Sequence, residues 1–283
     1  MDLCKDICRF LSENGLGHVV ESHDGTPIIY AGNSPAIVPI CINASSLEKA
    51  KKDAESLEIL IEDICKNEGK YPLIITEDRW RSQARMMRSR LLAHLQVFTQ
   101  IYARNCEIRK IDKATAATFL SENHSYGDAS CRHRYGLFLK RYTGHTRDID
   151  ATRPEAGSLI AVATFSNARK WTKGDKVIRS YEWTRYATLP QVRLSGGMGR
   201  VLKTFIEEVK PDDIMTYADL EWSEGKVYET LGFKLEGKKD AVMFSMDPDS
   251  WQRTPIKGQT SCAEAYFQNF GSNKYRLKLT DYQ

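Results

Sequence analysis

Apolar positions in the first third of the chain alternate between two periods. Leu3, Ile7, Phe10 and Leu11 recur at helical spacing in LCKDICRFLSE. Three short apolar runs follow, HVVES, PIIY and AIVPICI, parted by Asp-Gly and Gly-Asn-Ser-Pro turns that predict strands. SSLEKAKKDAESLEILIEDICKNEG predicts a helix with Ser46 as N-cap, Leu57, Leu60, Ile61 and Ile64 toward a core, and Gly69 past its end. YPLIIT reads as a buried strand. DRWRSQARMMRSRLLAHLQVF reads as one long helix, with Met87, Leu91 and Leu95 on its apolar side.

From CEIRKID onward the pattern changes. IDKATAATFLSENHSYG predicts a helix ending in a turn, and RYGLFLKRY and GSLIAVATF predict adjacent antiparallel strands joined by the polar loop TGHTRDIDATRPEA. VIRSYEWTRYATL is a long strand, and the segment RLSGGMGRVLKTF follows it directly. The helix GRVLKTFIEEVK is stopped by Pro211, and the strand DIMTYAD, the helix EGKVYETLGF and a last strand AVMFSMD come after. A helix between two strands implies a right-handed parallel crossover, so the long strand and DIMTYAD should be parallel neighbours. The tail from Trp251 has no clear period. This order predicts an α/β (α+β) protein with a small domain over 1–106, a mixed-sheet domain over 107–250 and a C-terminal extension over 251–283.

The chain has 283 residues, enough for two small domains. Its hydrophobic share of 41% and charged share of 28% are those of an ordinary globular protein. No apolar run reaches the roughly 20 residues that span a bilayer, and the acidic N-terminus does not read as a signal peptide. Seven scattered cysteines suggest reduced thiols, hence a cytoplasmic location. Cys4 and Cys8 lie one helical turn apart, but no second pair completes a zinc-ligand spacing, and no metal is expected. The net charge of +4 does not itself imply nucleic acid. Its distribution says more: Arg79, Arg81, Arg85, Arg88 and Arg90 crowd one predicted helix, with Arg81, Arg85 and Arg88 on a common face. That face is either solvated or a phosphate-tracking surface for nucleic acid.

The segment Arg193–Arg200 packs three glycines and two arginines into eight residues and opens a helix. Gly196, Gly197 and Gly199 leave amides bare at a helix start, where the partial positive charge favours phosphate. Arg193 and Arg200 add full charges. Such a turn suits a diphosphate, and the alternative is a flexible connection. No Gly-Lys-Ser/Thr follows, so it is not a P-loop, and its spacing is not that of a dinucleotide fingerprint.

LSGGMGRVLKTFIEE followed by VYETLGFKLEG resembles the GNAT superfamily of acetyl-CoA-dependent N-acetyltransferases over roughly 107–247. Gly197 and Gly199 take the glycine places of its turn, although the family's Gln/Arg place falls on Leu194, and Tyr228, Leu231, Gly232 and Phe233 match its second segment. The resemblance implies a GNAT-like mixed sheet with flanking helices and acetyl-CoA as cosubstrate. Pantetheine would pair with the backbone of Ala187, Thr188 and Leu189 where parallel strands splay, and the diphosphate would sit on the amides of Gly196, Gly197, Met198, Gly199 and Arg200, beside Arg193. Tyr228 is the candidate acid, or else packs its helix. Glu182 is the candidate base, with Thr184 and Tyr186 on its face and Tyr181, Trp183 and Arg185 on the other; otherwise it pairs with Arg185 or Arg169. Glu221 and Glu224 depart from the family's Asn and Ala, and Asp219 and Glu221 either line a site for a cationic acceptor or belong to a solvated loop.

A second resemblance spans the seam. Glu77, Asp78 and Trp80, then Ala103, Arg104 and Cys106, then Phe119, Leu120, His124 and Gly127 are similar to phage and mobile-element homing-endonuclease-like proteins, in which a Vsr-like nuclease domain precedes a GNAT-like one. The central strand candidates offer no carboxylates for a metal, so a degenerate nuclease is expected. His124 is a ligand, a proton carrier or a helix cap. Two functions follow: acetyl transfer to an amine of a small molecule or protein, or nucleic-acid binding through Arg81, Arg85 and Arg88 by a non-catalytic relative.

Overall fold

The computed structural model describes residues 2–144, 153–256 and 265–282; the loop expected between the first two strands of the mixed sheet falls largely outside them. Two compact units emerge. The first gathers Met1–Leu95, Ala218–Gly225 and Lys238–Asn273, the second Gln96–Tyr217, Lys226–Gly237 and Lys274–Gln283. The units therefore interleave along the chain, in place of the consecutive spans that the sequence suggests.

The first unit begins with α1 (Leu3–Glu13), capped by the Asp2 side chain, then β1 (His18–His23), β2 (Thr26–Ala31), β3 (Ile37–Ile40), α2 (Leu47–Glu68) and β4 (Leu73–Thr76). The predicted caps of α2 are present: Ser46 accepts from the Lys49 amide, and Gly69 ends the helix in the left-handed region at φ 66°. The sheet runs β1-β2-β3-β4, with β3 and β4 parallel. The expected long basic helix is broken into α3 (Glu77–Ser82) and α4 (Ala84–His94), because Gln83 leaves helical geometry at φ −123°, ψ 37°.

The second unit holds β5 (Thr99–Tyr102), a 3-10 turn (Ala103–Asn105), β6 (Cys106–Lys110), α5 (Lys113–Asn123), β7 (His133–Leu139), β8 (Leu159–Phe165), β9 (Arg169–Lys173) and β10 (Lys176–Thr188). It continues with β11 (Val192–Ser195), α6 (Gly197–Val209), β12 (Asp213–Asp219), α7 (Lys226–Thr230) and β13 (Lys234–Lys239). The chain then returns to the first unit through β14 (Met243–Met246), β15 (Arg253–Pro255) and β16 (Ala265–Gln268), and closes with β17 (Ser272–Lys278).

The large sheet is mixed and ordered β13-β17-β12-β10-β8-β7-β6, with β9 beside β10. The predicted crossover is present, since β10 and β12 run parallel on either side of α6. The expected last strand of this sheet, AVMFSMD, is β14 instead and lies in a separate three-stranded sheet. Leu220, Phe244, Met246, Phe267 and Phe270 share one core with Ile28, Val38 and Ile61, which is why these late segments belong to the first unit. The sheet position expected for AVMFSMD is filled by β17, drawn from a tail in which no period is visible.

On one side of the sheet α6 buries Val201, Leu202 and Phe205. Phe205 stacks on Phe165 with ring centroids 3.9 Å apart. On the other side, Ala116, Phe119 and Leu120 of α5 pack on Val162 and Ala187.

The β10–β12 junction is fixed by Asp213, which is fully buried. Its carboxylate accepts from Ser180 Oγ (2.8 Å), Arg276 Nη1 (2.7 Å) and the Tyr282 hydroxyl, and Trp171 Nε1 donates in turn to Ser180 Oγ (2.7 Å). Asp213→Ala would leave three buried donors, the Ser180 and Tyr282 hydroxyls and Arg276 Nη1, without their shared acceptor, so urea unfolding should show a loss of about 3 kcal/mol. Arg276 also grips Glu236, and with Lys274 it holds that carboxyl at about 2, below its ordinary 4.5. A depressed folded-state value adds stability above pH 4.5 that is lost as the pH falls toward 2. Glu236→Gln should therefore flatten acid unfolding within that window.

Candidate active site

Strand pairing gives the site its shape. β10 and β12 are partnered over Ser180↔Asp213, Tyr181↔Ile214 and Glu182↔Met215 only. At the next step the Thr216 hydroxyl, rather than a backbone group, donates to the Trp183 carbonyl (3.1 Å). Beyond it β10 continues to Thr188 along β8, and among the described residues no strand pairs with its other edge. Leu189 donates its N–H to Ile160 O (2.9 Å) and accepts from Val192 N (3.2 Å), so both of its backbone groups are occupied. Backbone groups in a strand alternate between edges, which turns Ala187 toward β8 as well and leaves Tyr186 and Thr188 facing the open edge. Of the three residues expected to pair with pantetheine, Thr188 alone has the required orientation; Leu189 and Ala187 do not.

The register of β10 against β8 shifts between Trp183 and Arg185, making Thr184 the extra residue of a bulge. This corrects the expected faces. Trp183 and Tyr186 now share the α6 side, with ring centroids 6.0 Å apart. Arg185 turns to the α5 side, where Nε donates to Gly127 O (3.1 Å). Glu182 stands on that same side, half-buried, and its charge acts on Arg185. Thr184 keeps to that side, its Oγ1 2.7 Å from Thr164 Oγ1, but the predicted grouping of Glu182 with Tyr186 fails because a two-residue period does not survive a bulge.

Tyr228 lies at the fork. Its ring meets Trp183 (6.2 Å), Phe233 (5.7 Å) and Tyr275 (5.6 Å). Burial raises its phenol above the ordinary range, opposed by a hydrogen bond with Thr216, the residue that bridges to Trp183. The phenol is thus protonated at neutral pH and held where the two strands part. Glu182 and Tyr228 approach this fork from opposite faces of the sheet.

The glycine turn is less directly joined to β10 than the sequence implies. β11 intervenes and pairs in parallel with β5, from Val192↔Thr99 to Ser195↔Tyr102. Gly196 caps α6 from the left-handed region at φ 78°, and among the described residues no side chain caps the helix. The first-turn amides of Gly197, Met198 and Gly199 therefore have neither an intrahelical partner nor a side-chain cap. Gly197 is glycine for an internal reason: a Cβ there would come 2.4 Å from the Tyr186 hydroxyl and 2.7 Å from Leu194 Cδ2. At Gly199 a Cβ would make an ordinary 3.5 Å contact with Leu231. Arg200 is already engaged, with Nη1 donating to Ala103 O and Cys106 O (3.0 Å), so its expected charge at the mouth serves the 3-10 turn. Arg193 is exposed and lies over the Phe98 ring at 5.3 Å.

The remaining candidates find internal partners. Asp219 accepts from Arg79 (3.0 Å), while Glu221 accepts from Arg253 (2.7 and 2.8 Å) and lies 3.6 Å from Arg79. These carboxylates belong to a buried ion network with Asp78 and are not a site for a cationic acceptor. The broken helix undoes the face shared by Arg81, Arg85 and Arg88. Arg81 binds Glu77 (2.6 Å) and stacks over Trp251, Arg88 covers Phe10 and Trp80, and Arg90 is buried with Nη1 on Ile74 O (2.7 Å). His124 caps the end of α5 and its Nδ1 accepts from the Tyr126 amide (3.1 Å). Among the described residues no cluster of His, Cys, Asp and Glu could hold a metal, and no helix is long and apolar enough to cross a membrane.

No protein-family model matches the chain, and no curated protein does. Solved structures similar to it include a chain of the NatC complex bound to Gag peptide and CoA, at 12% identity and a TM-score of 0.35, covering 62% of this chain and 99% of that one. An acetyltransferase of Bacillus subtilis in complex with CoA gives the same figures: 12%, 0.35, 62% and 99%. A spermidine N-acetyltransferase chimera from Vibrio cholerae and hSSAT gives 10% identity, a TM-score of 0.34 and coverage of 62% and 96%. The nuclease-like resemblance of the N-terminal third finds no support among them.

Because Gly197 makes room for Tyr186 and Leu194, Gly197→Ala should destabilise the protein by about 1–3 kcal/mol in thermal unfolding, as an overpacked core does. Gly199→Ala should leave the unfolding midpoint nearly unchanged.

Proposed function

We propose that this chain is an acyl-CoA N-acyltransferase that moves the acetyl group of acetyl-CoA to an amine. The observation that carries the reading is the fork. A strand edge open at Tyr186 and Thr188 can pair with the amide-rich pantetheine arm as a missing strand would. The uncapped start of α6 follows in the chain and offers bare amides to a diphosphate.

Tyr228 and Glu182 divide the chemistry. The amine nitrogen attacks the thioester carbonyl, and Glu182 takes the proton it sheds. The carbon–sulfur bond then breaks, and the departing thiolate takes the Tyr228 phenol proton. Desolvation keeps that phenol protonated until the thiolate forms, as a general acid requires. Glu182 is read as the base from its half-buried position on the opposite face of the sheet, beside Arg185. Arg193, exposed beside the turn, remains a candidate for the phosphates. The acceptor is a small-molecule or protein amine.

Calorimetry should give a Kd for CoA on the order of 10 μM. In an acetyl-transfer assay Tyr228→Phe should lower kcat by about 100-fold while leaving that Kd unchanged. Undetectable CoA binding by the wild-type protein removes the reading; an unchanged kcat removes Tyr228 from the role of acid.

A further inference from the structure

We propose that the Tyr186 hydroxyl is an additional ligand-binding group of this site, hydrogen-bonding a diphosphate oxygen held at the start of α6. The proposal rests on the acyl-CoA reading. Three observations lead to it. The bulge at Thr184 rotates Tyr186 onto the α6 side of β10. The absent side chain of Gly197 lets the hydroxyl reach the first residue of α6, to 2.4 Å from where a Cβ would stand. That oxygen is buried and has no hydrogen-bond partner among the described residues.

An unpaired buried hydroxyl costs about 1–3 kcal/mol, whereas phenylalanine fills the same space at no such cost. Tyr186 is surrounded by the Trp183 ring, the Leu194 side chain and the buried Cys106, none of which needs an oxygen nearby. Burial raises the phenol above its ordinary range, so at neutral pH it is a donor. The neighbouring amides of Gly197, Met198 and Gly199 are also donors without caps. A convergence of donors with no acceptor describes a site for an anion, and the diphosphate of CoA is the anion that the fork would bring there.

Tyr186→Phe separates this role from a structural one. With CoA, calorimetry should show binding about tenfold weaker than wild type, the loss expected for a hydrogen bond to a charged oxygen. Pantetheine, which lacks the diphosphate, should bind both proteins equally when measured by competition. The unfolding midpoint of the ligand-free variant should equal or exceed that of wild type. Equal CoA affinity overturns the proposal and leaves the transferase reading intact. So does an equal loss with pantetheine, which would place the hydroxyl on the arm, or a destabilised ligand-free variant, which would mean that the hydroxyl is already partnered. Absence of CoA binding to wild type ends both readings, and is distinguishable because the wild-type titration alone reveals it.

Discussion

The Asp213 carboxylate decides where β10 and β12 meet. It stands on the first of only three paired positions and collects Ser180, Arg276 and Tyr282 in a volume closed to solvent. A buried charge of this kind holds its partners in one arrangement because every donor must be answered. With the first position fixed, the pairing ends three residues later, and the fork opens at Trp183 and Thr216. The same arginine draws in Glu236 of β13, so the late strands are tied to the junction that creates the site.

Within β10 the decisive feature is a single extra residue. The bulge at Thr184 leaves Glu182 and Arg185 on the α5 side while bringing Trp183 and Tyr186 together on the α6 side. Trp183 then touches Tyr228 at the fork and Tyr186 toward the glycine turn. One aromatic ring so links the group proposed to act on sulfur with the group proposed to bind phosphate, and both depend on where the extra residue falls.

The first unit turns its positive charge inward. Arg79 and Arg253 are matched by Asp78, Asp219 and Glu221, and Arg90 donates to the backbone carbonyls of Ile74, Glu221 and Trp222. Such a network is weak evidence for net stability, but removing one member leaves its partner stranded. Of the arginine cluster in the sequence, Arg79 and Arg90 are buried and Arg81 is half-buried on Glu77 and Trp251, while Arg85 and Arg88 stay exposed, Arg88 over Phe10 and Trp80.

The sequence by itself determined what a few neighbouring residues settle among themselves. Ser46 and Gly69 bound their helix, Asp112 caps α5 through the Thr115 amide, and Gly196 opens α6, because caps and left-handed turns are made within a few residues. The parallel crossover also followed, since chirality permits one hand. The tertiary structure alone decided the bulge at Thr184, the β11–β5 pairing, the placement of β17 within the sheet and the partner of each arginine. Each of these depends on groups far apart in the chain, such as Arg276 with Asp213 or Arg200 with Ala103. Hydrogen bonds and charges are satisfied by whatever the fold brings near, and no local pattern encodes that neighbour.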